Sequence, residues 1–213
     1  MKSKFIELEN RIHPWVWQVF GLAVSILVFS LILENRSPNL LRPVSVALRT
    51  GFGVTIVFAT LTVYAAFRVP GRLGKAFALT ATLSLFALGL AGLWASGNTQ
   101  SVSLSGLIPL YDASGYYIDA LRLQYGLDVS SFTAMRPFFA GLLSLFLRLS
   151  ENNLMTAFGI FTAIAGYSCY LACIEIKRTH GSEVATFVLM IMFLYYRHHS
   201  GTSMSETLGV AVS

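Results

Sequence analysis

Long stretches without any charged residue alternate with short polar segments along this chain. Four of these uncharged stretches cover residues 14–33, 50–67, 76–111 and 152–174. The hydrocarbon core of a bilayer is about 30 Å thick and takes roughly 20 apolar residues of helix to cross. A helix also satisfies its own backbone hydrogen bonds in lipid. The pattern predicts an all-α fold, a polytopic transmembrane helix bundle. The rival interpretation, a soluble core of buried helices, is disfavoured because helices of a soluble domain keep a polar face.

Composition and charge narrow the class of protein further. Hydrophobic residues make up 55% of the chain and charged residues 12%, whereas a soluble domain carries about 25% charged residues. The net charge of +5 would suit a protein that binds nucleic acid, but no basic run is interleaved with aromatic residues. Lys and Arg lie at the ends of the predicted helices, which is typical of membrane orientation and contact with lipid headgroups. We therefore expect membrane lipid, and no nucleic acid, among the partners.

Three clusters of basic residues set the predicted orientation. They lie in Met1–His13, in Arg68–Lys75 and at Lys177-Arg178, and the positive-inside rule places all three in the cytoplasm. The chain is then a multi-pass integral membrane protein with a cytoplasmic N-terminus. The predicted helices run outward at 14–33, inward at 51–67, outward at 76–95, inward at 152–174 and outward at 184–196.

Residues 96–151 form a long extracytoplasmic loop in this topology, and we expect interfacial helices within it. Apolar residues recur at helical spacing from Asp112 to Arg122, and Gly126 would end that helix. Arg136-Pro137 opens a second helix, since proline suits a first turn. The segment 96–106 is small and polar and predicts a mobile loop.

Two helices are short for a membrane span. Pro137 to Leu147 would rise only about 16 Å as a helix, so we expect it to lie at the outer interface. The alternative, in which this run crosses the membrane, reverses the orientation of everything after it. Val184 to Tyr196 is also short, so either the bilayer thins around it or neighbouring residues extend it.

Asp112 is the first candidate for chemistry, because it follows thirty-six uncharged residues at the point where the chain leaves the bilayer. A carboxylate there could act as a general base or hold a metal against a phosphate. It could equally be the N-cap of the helix that follows, and the local spacing does not decide between the two. Asp119 is predicted to be a solvated partner of Arg122.

Glu206 is the second candidate, at the mouth of an apolar stretch beginning near Thr207. A capping box with Ser203 as N-cap would also account for this residue. Arg122, Arg136 and Arg197 are outer cations that could bind phosphate or lipid headgroups. His198 and His199 lack a third ligand at a suitable spacing, so no metal site is predicted. Cys169 and Cys173 are expected to pack as buried small side chains.

These features together resemble the N-terminal part of the GT-C superfamily of membrane glycosyltransferases, especially the protein-mannosyltransferase and aminoarabinose-transferase type. The shared pattern is a long outer loop that opens on an acidic residue and carries interfacial helices, then a helix of small residues and a second acidic outer loop. The matching positions are Asp112, Tyr116, Ala120, Gly126, Arg136-Pro137, Phe138 to Leu149, Asn152 to Ile174, Lys177-Arg178 and Ser205-Glu206. Two extra helices precede the loop, and Arg136-Pro137 stands where many members have a double proline.

The resemblance implies transfer of a sugar from a polyprenyl-phosphate carrier to an acceptor on the extracytoplasmic face. It implies that Asp112 and Glu206 are catalytic and that Tyr116, Arg122 and Arg136 bind substrate. Residues 1–75 would form two N-terminal transmembrane helices with their loops, and 76–213 the N-terminal part of the transferase module.

The apolar stretch that ends at Ser213 is too short for a span, which predicts that the chain is a fragment. No residue pattern supports a divalent metal cofactor, and nothing indicates the oligomeric state. The alternative function is a non-catalytic membrane subunit, a transporter fragment or a scaffold. Transporters carry charged residues inside their spans, and the predicted spans have none.

Overall fold

The computed structural model describes residues 13–34, 41–51, 53–100 and 102–209. The N-terminal basic residues 2–11 lie outside these ranges. The elements in chain order are α1 (Pro14–Glu34), α2 (Leu41–Thr50), α3 (Val54–Arg68), α4 (Gly71–Ser96), β1 (Thr99–Gln100), β2 (Ser103–Leu104), β3 (Ile108–Pro109), α5 (Asp112–Gln124), α6 (Ser131–Ala134), α7 (Pro137–Leu149), α8 (Leu154–His199) and α9 (Glu206–Gly209).

Three helices are long and apolar enough to cross a membrane, and a fourth span results if one bent helix pair is counted. The three are Trp15–Glu34, Gly71–Ser96 and Leu154–His199, and the bent pair is α2 with α3. These helices are consistent with a membrane protein. The helical prediction is confirmed in the described ranges, apart from one small antiparallel sheet in the order β1-β2-β3. This sheet occupies the segment that was expected to be a mobile loop.

Helix α8 is a hairpin of two helical arms joined at Gly181. This glycine has φ 90° and ψ 173°, a conformation that a residue with a Cβ adopts only at a steric cost. Phe86 of α4 packs against Gly166 of the first arm and against Phe193 of the second, with the two rings 5.7 Å apart. The second arm continues to His199, so the outward helix predicted at 184–196 is longer than its uncharged core. Neighbouring residues extend it to about 27 Å.

The helix predicted at 51–67 is present as α3 and begins three residues later than predicted, at Val54. A separate helix, α2, precedes α3 and meets it at 99°. Glycine at 51 and 53 disfavours a continuous helix here. The carbonyl groups at the end of α2 accept hydrogen bonds from a residue far along the chain. Arg197 Nη1 donates to Leu48 O at 2.8 Å and to Gly51 O at 2.7 Å.

Helices α1 and α2 approach α4 closely through small residues. A Cβ at Gly21 would lie 2.9 Å from Ala76 Cβ, and one at Gly92 would lie 2.0 Å from the Ser45 carbonyl oxygen. One hydrophobic core therefore joins α1–α4 with α8, and it crosses the predicted boundary at residue 75.

A second core lies beside the first and supports the short helices. It joins buried side chains of α5, α7 and the first arm of α8 with Leu208 of α9. Phe139 and Phe161 stack within it at 5.8 Å. Helix α7 buries Phe139, Ala140, Leu143 and Leu147 on this core. It leaves Phe138, Leu145 and Leu149 exposed.

Candidate functional site

A hydrogen bond between two distant segments brings the two candidate carboxylates to the same end of the molecule. Ser203, which is fully buried, donates from Oγ to the Ala113 carbonyl oxygen at 2.7 Å. Ala113 follows Asp112 in the first turn of α5, and Ser203 stands three residues before Glu206. The loop after α8 is therefore attached to the beginning of α5.

Asp112 is exposed and is the first residue of α5, after an unusual backbone conformation at Tyr111. Tyr111 is the N-cap residue, with φ 51° and ψ −128°, and it makes no side-chain capping bond. The N-cap hypothesis for Asp112 is therefore wrong. Within the described residues, nothing forms a hydrogen bond or ion pair with the Asp112 carboxylate. Strained residues of this kind cluster at functional sites.

Glu206 begins the short helix α9 and is partly buried. Ser205 Oγ donates to Glu206 Oε2 at 3.4 Å. The predicted capping box is not formed, because the Ser203 hydroxyl is committed to Ala113 and the helix starts three residues later. Helix capping by Ser203 therefore does not account for Glu206.

A cavity of about 390 Å³ opens between the beginning of α7 and the beginning of α9. Arg136 and Ser205 supply its polar groups, and the other lining residues are Met135, Pro137, Phe138, Phe139 and Leu208. The predicted helix start is confirmed, with Arg136 as N-cap and Pro137 at the first helical position. An exposed guanidinium beside apolar walls suits a ligand with an anionic group and a hydrophobic part.

Tyr116 lies behind the wall of this cavity. It is buried in the second core, with its ring 5.3 Å from that of Phe139, which lines the cavity, and 5.0 Å from that of Phe132. The Tyr116 hydroxyl is buried and has no hydrogen-bond partner among the described residues. In this arrangement Tyr116 supports the cavity wall.

Asp119 is not solvated, contrary to the prediction. Its side chain is only 3% exposed. It accepts hydrogen bonds from the Ser130 backbone N–H at 3.1 Å and from the Ser130 hydroxyl. Burial opposes ionisation of Asp119, but the bonds from Ser130 and the nearby Arg122 outweigh it and lower the pKa of this carboxyl. The predicted pairing with Arg122 is present at 3.8 Å, and Arg122 does not line the cavity between α7 and α9.

Three residues that hold distant segments together are not identified by the sequence analysis. Ser130 holds Asp119 and also caps α6, since its side chain accepts from the Thr133 N–H. Arg197, which the sequence predicts to be an outer cation, and Arg49 are each 1% exposed. Arg49 Nη1 donates to the Ser200 carbonyl oxygen at 3.0 Å. The available signal was the position of both arginines at helix ends, where backbone carbonyls lack partners.

The described residues contain no cluster of three or more His, Cys, Asp or Glu side chains that could hold a metal ion. No protein-family model, no curated protein and no solved structure matches the chain.

Proposed function

We propose that this chain is a multi-pass membrane glycosyltransferase that moves a sugar from a polyprenyl-phosphate carrier to an acceptor on the extracytoplasmic face. The observation that supports this most directly is the bond between Ser203 and Ala113. It joins the segments that carry Asp112 and Glu206 beside a cavity with a cationic rim.

The proposed reaction is an inverting displacement at the anomeric carbon of the sugar. Asp112 takes the proton of the acceptor hydroxyl as its oxygen forms the new glycosidic bond. The bond from the anomeric carbon to the carrier phosphate breaks, and the phosphate leaves with the bonding electrons. Arg136 offsets the charge that develops on this phosphate. Glu206 helps to orient the acceptor, since its loop is attached to the same turn of α5.

We also propose a position for the chain in the membrane. The N-terminus lies in the cytoplasm, and α5, α7 and the beginning of α9 lie at the outer interface. The exposed apolar residues of α7 would face lipid, as expected of a helix that lies in the interfacial plane. The tail of the carrier would stay in lipid while its phosphate meets Arg136 at headgroup level.

The first test is Asp112→Asn in membranes where the parent protein transfers sugar. Asn keeps the shape and polarity of Asp but cannot take a proton, so we expect transfer to fall by about 10²–10⁴-fold. Binding of the carrier should be retained. Asp128→Asn is the matched control, because Asp128 is also an exposed carboxylate of the same loop. Unchanged turnover in Asp112→Asn would exclude Asp112 as the base.

The second test measures on which side of the membrane the candidate residues lie. Asp112→Cys, Glu206→Cys and Arg148→Cys should all react with an impermeant thiol reagent in intact cells. The native Cys169 and Cys173 are buried, so we expect them to contribute little background. Glu175→Cys, an exposed position at the opposite end, should react only after the membranes are opened. Labelling at residue 112 without labelling at 148 or 206 would mean that α7 crosses the membrane.

A further inference from the structure

A second cavity, of about 590 Å³, lies at the opposite end of the helices from Asp112. It opens between the first turns of α1 and α4 and the first arm of α8. We propose that this cavity binds an anionic membrane phospholipid, with the phosphate held by Lys75 and Trp17. This proposal does not depend on the glycosyltransferase function.

Positive charge is concentrated at the mouth of this cavity. Arg72 and Lys75 both line it. Lys177 lies close enough for its charge to repel that of Lys75, and its ammonium group is 3.4 Å from the Val69 carbonyl oxygen. The first turn of α4 adds the positive end of the helix dipole. The N-cap residue, Pro70, makes no side-chain hydrogen bond to this turn. An anion here would lie beside the charge of Lys75 and the positive end of α4.

The acidic side chains nearby in the described structure are directed elsewhere. None of the described residues that line the cavity is Asp or Glu. Glu175 pairs with Arg178 at 3.3 Å, and Glu183 accepts a hydrogen bond from the Tyr64 hydroxyl at 2.9 Å. A positively charged cavity between membrane helices is typical of sites that bind anionic headgroups.

Trp17 supplies an unused hydrogen-bond donor to the same cavity. Its indole Nε1 is buried and has no partner among the described residues, and the residue lines the cavity. A buried donor without a partner costs free energy unless a ligand or water satisfies it. A phosphate oxygen is a suitable acceptor for this N–H group.

The remaining walls of the cavity suit the apolar part of a lipid. Leu22, Leu79, Leu171 and Ile174 line the cavity below the polar groups. Tyr170 closes one side, because its hydroxyl donates to the Lys75 carbonyl oxygen at 3.1 Å. A soluble phosphate would use only the charged end, whereas a phospholipid fills both parts. We therefore assign the site to a phospholipid rather than to free phosphate.

The experiment is native mass spectrometry of the full chain with phosphatidylglycerol and phosphatidylcholine that carry identical acyl chains. We expect phosphatidylglycerol to be retained in preference to phosphatidylcholine. Lys75→Gln should weaken this retention by about 3–10-fold, since a charge-assisted contact is lost. Trp17→Phe keeps the ring but removes the N–H group, and should weaken retention by about 2–5-fold. Millimolar inorganic phosphate should not displace the lipid.

Arg178→Gln is the matched control, because it removes one exposed positive charge at the same end without touching the cavity. We expect it to change retention by less than about twofold. Equal retention of the two lipids by the parent would overturn the proposal. An effect of Arg178→Gln as large as that of Lys75→Gln would show attraction by general surface charge. Displacement by inorganic phosphate would instead show a site for a soluble anion.

Discussion

Asp112 and Asp119, about two turns apart on α5, have the same side chain in opposite states. Asp112 is exposed, follows a strained residue and has no partner in the described part of the chain. Asp119, seven residues later, is buried and bound by Ser130. The comparison shows that neither residue type nor helix position assigns the role of a carboxylate. A group that the fold leaves unsatisfied is available for chemistry, whereas one that it satisfies contributes to stability.

The difference between the two carboxylates can be tested by removing each one and measuring the stability of the fold. Asp119→Ala leaves the partly buried Ser130 donors without their acceptor and should cost about 2–4 kcal/mol. Asp112→Ala should cost less than about 1 kcal/mol, because only attraction to the helix dipole is lost. Thermal unfolding can be followed with a dye that reacts with the buried thiols of Cys169 and Cys173 as they become exposed. Equal melting temperatures for the two variants would contradict the distinction.

A smaller effect should appear as a dependence on pH. The pKa of Asp119 is lowered in the folded state, so its ionised form stabilises the fold. This contribution is complete above about pH 5 and is lost as the pH falls through and below about 4. Melting temperatures of the parent should therefore decrease over this range more steeply than those of Asp119→Asn. Identical slopes for the two proteins would show that Asp119 is not responsible.

The smallest expected effect concerns Arg122. Its side chain is 46% exposed and lies 3.8 Å from Asp119, so solvent screens most of the attraction. Arg122→Gln should destabilise the protein by less than about 1 kcal/mol. It should leave sugar transfer nearly unchanged, because Arg122 is directed to Asp119 and does not line the cavity of Arg136. A large loss of transfer with unchanged stability would restore the role in substrate binding that the resemblance implies for Arg122.

Much of the secondary structure could be predicted from local signals. The uncharged runs correctly marked α1, α4 and both arms of α8. Gly126, with φ 67°, follows the end of α5 as its sequence position indicated, and Pro137 opens α7. Helix α2 is not predicted by these signals, because Arg42 and Arg49 keep its segment out of the uncharged runs.

The candidate site could be predicted only in part. Asp112 and Glu206 were chosen from their places along the chain, and their common location depends on a bond between residues 113 and 203. Asp119 was misassigned because its partner, Ser130, lies beyond the end of the same helix. The sequence alone predicts an outer cation at Arg197. Only the packed structure shows that this side chain binds the end of α2.

The sequence by itself determined the apolar helices and several of their ends. Each backbone hydrogen bond of a helix joins residues four apart, and a segment in lipid must satisfy its own backbone bonds, so both depend on local sequence. Only the tertiary structure decided which polar side chains are satisfied. Asp119 is held by a residue eleven positions away and the loop of Glu206 by one ninety positions away. Such bonds form only when separate helix ends meet, which no local pattern specifies, and they leave Asp112 exposed beside the attached loop.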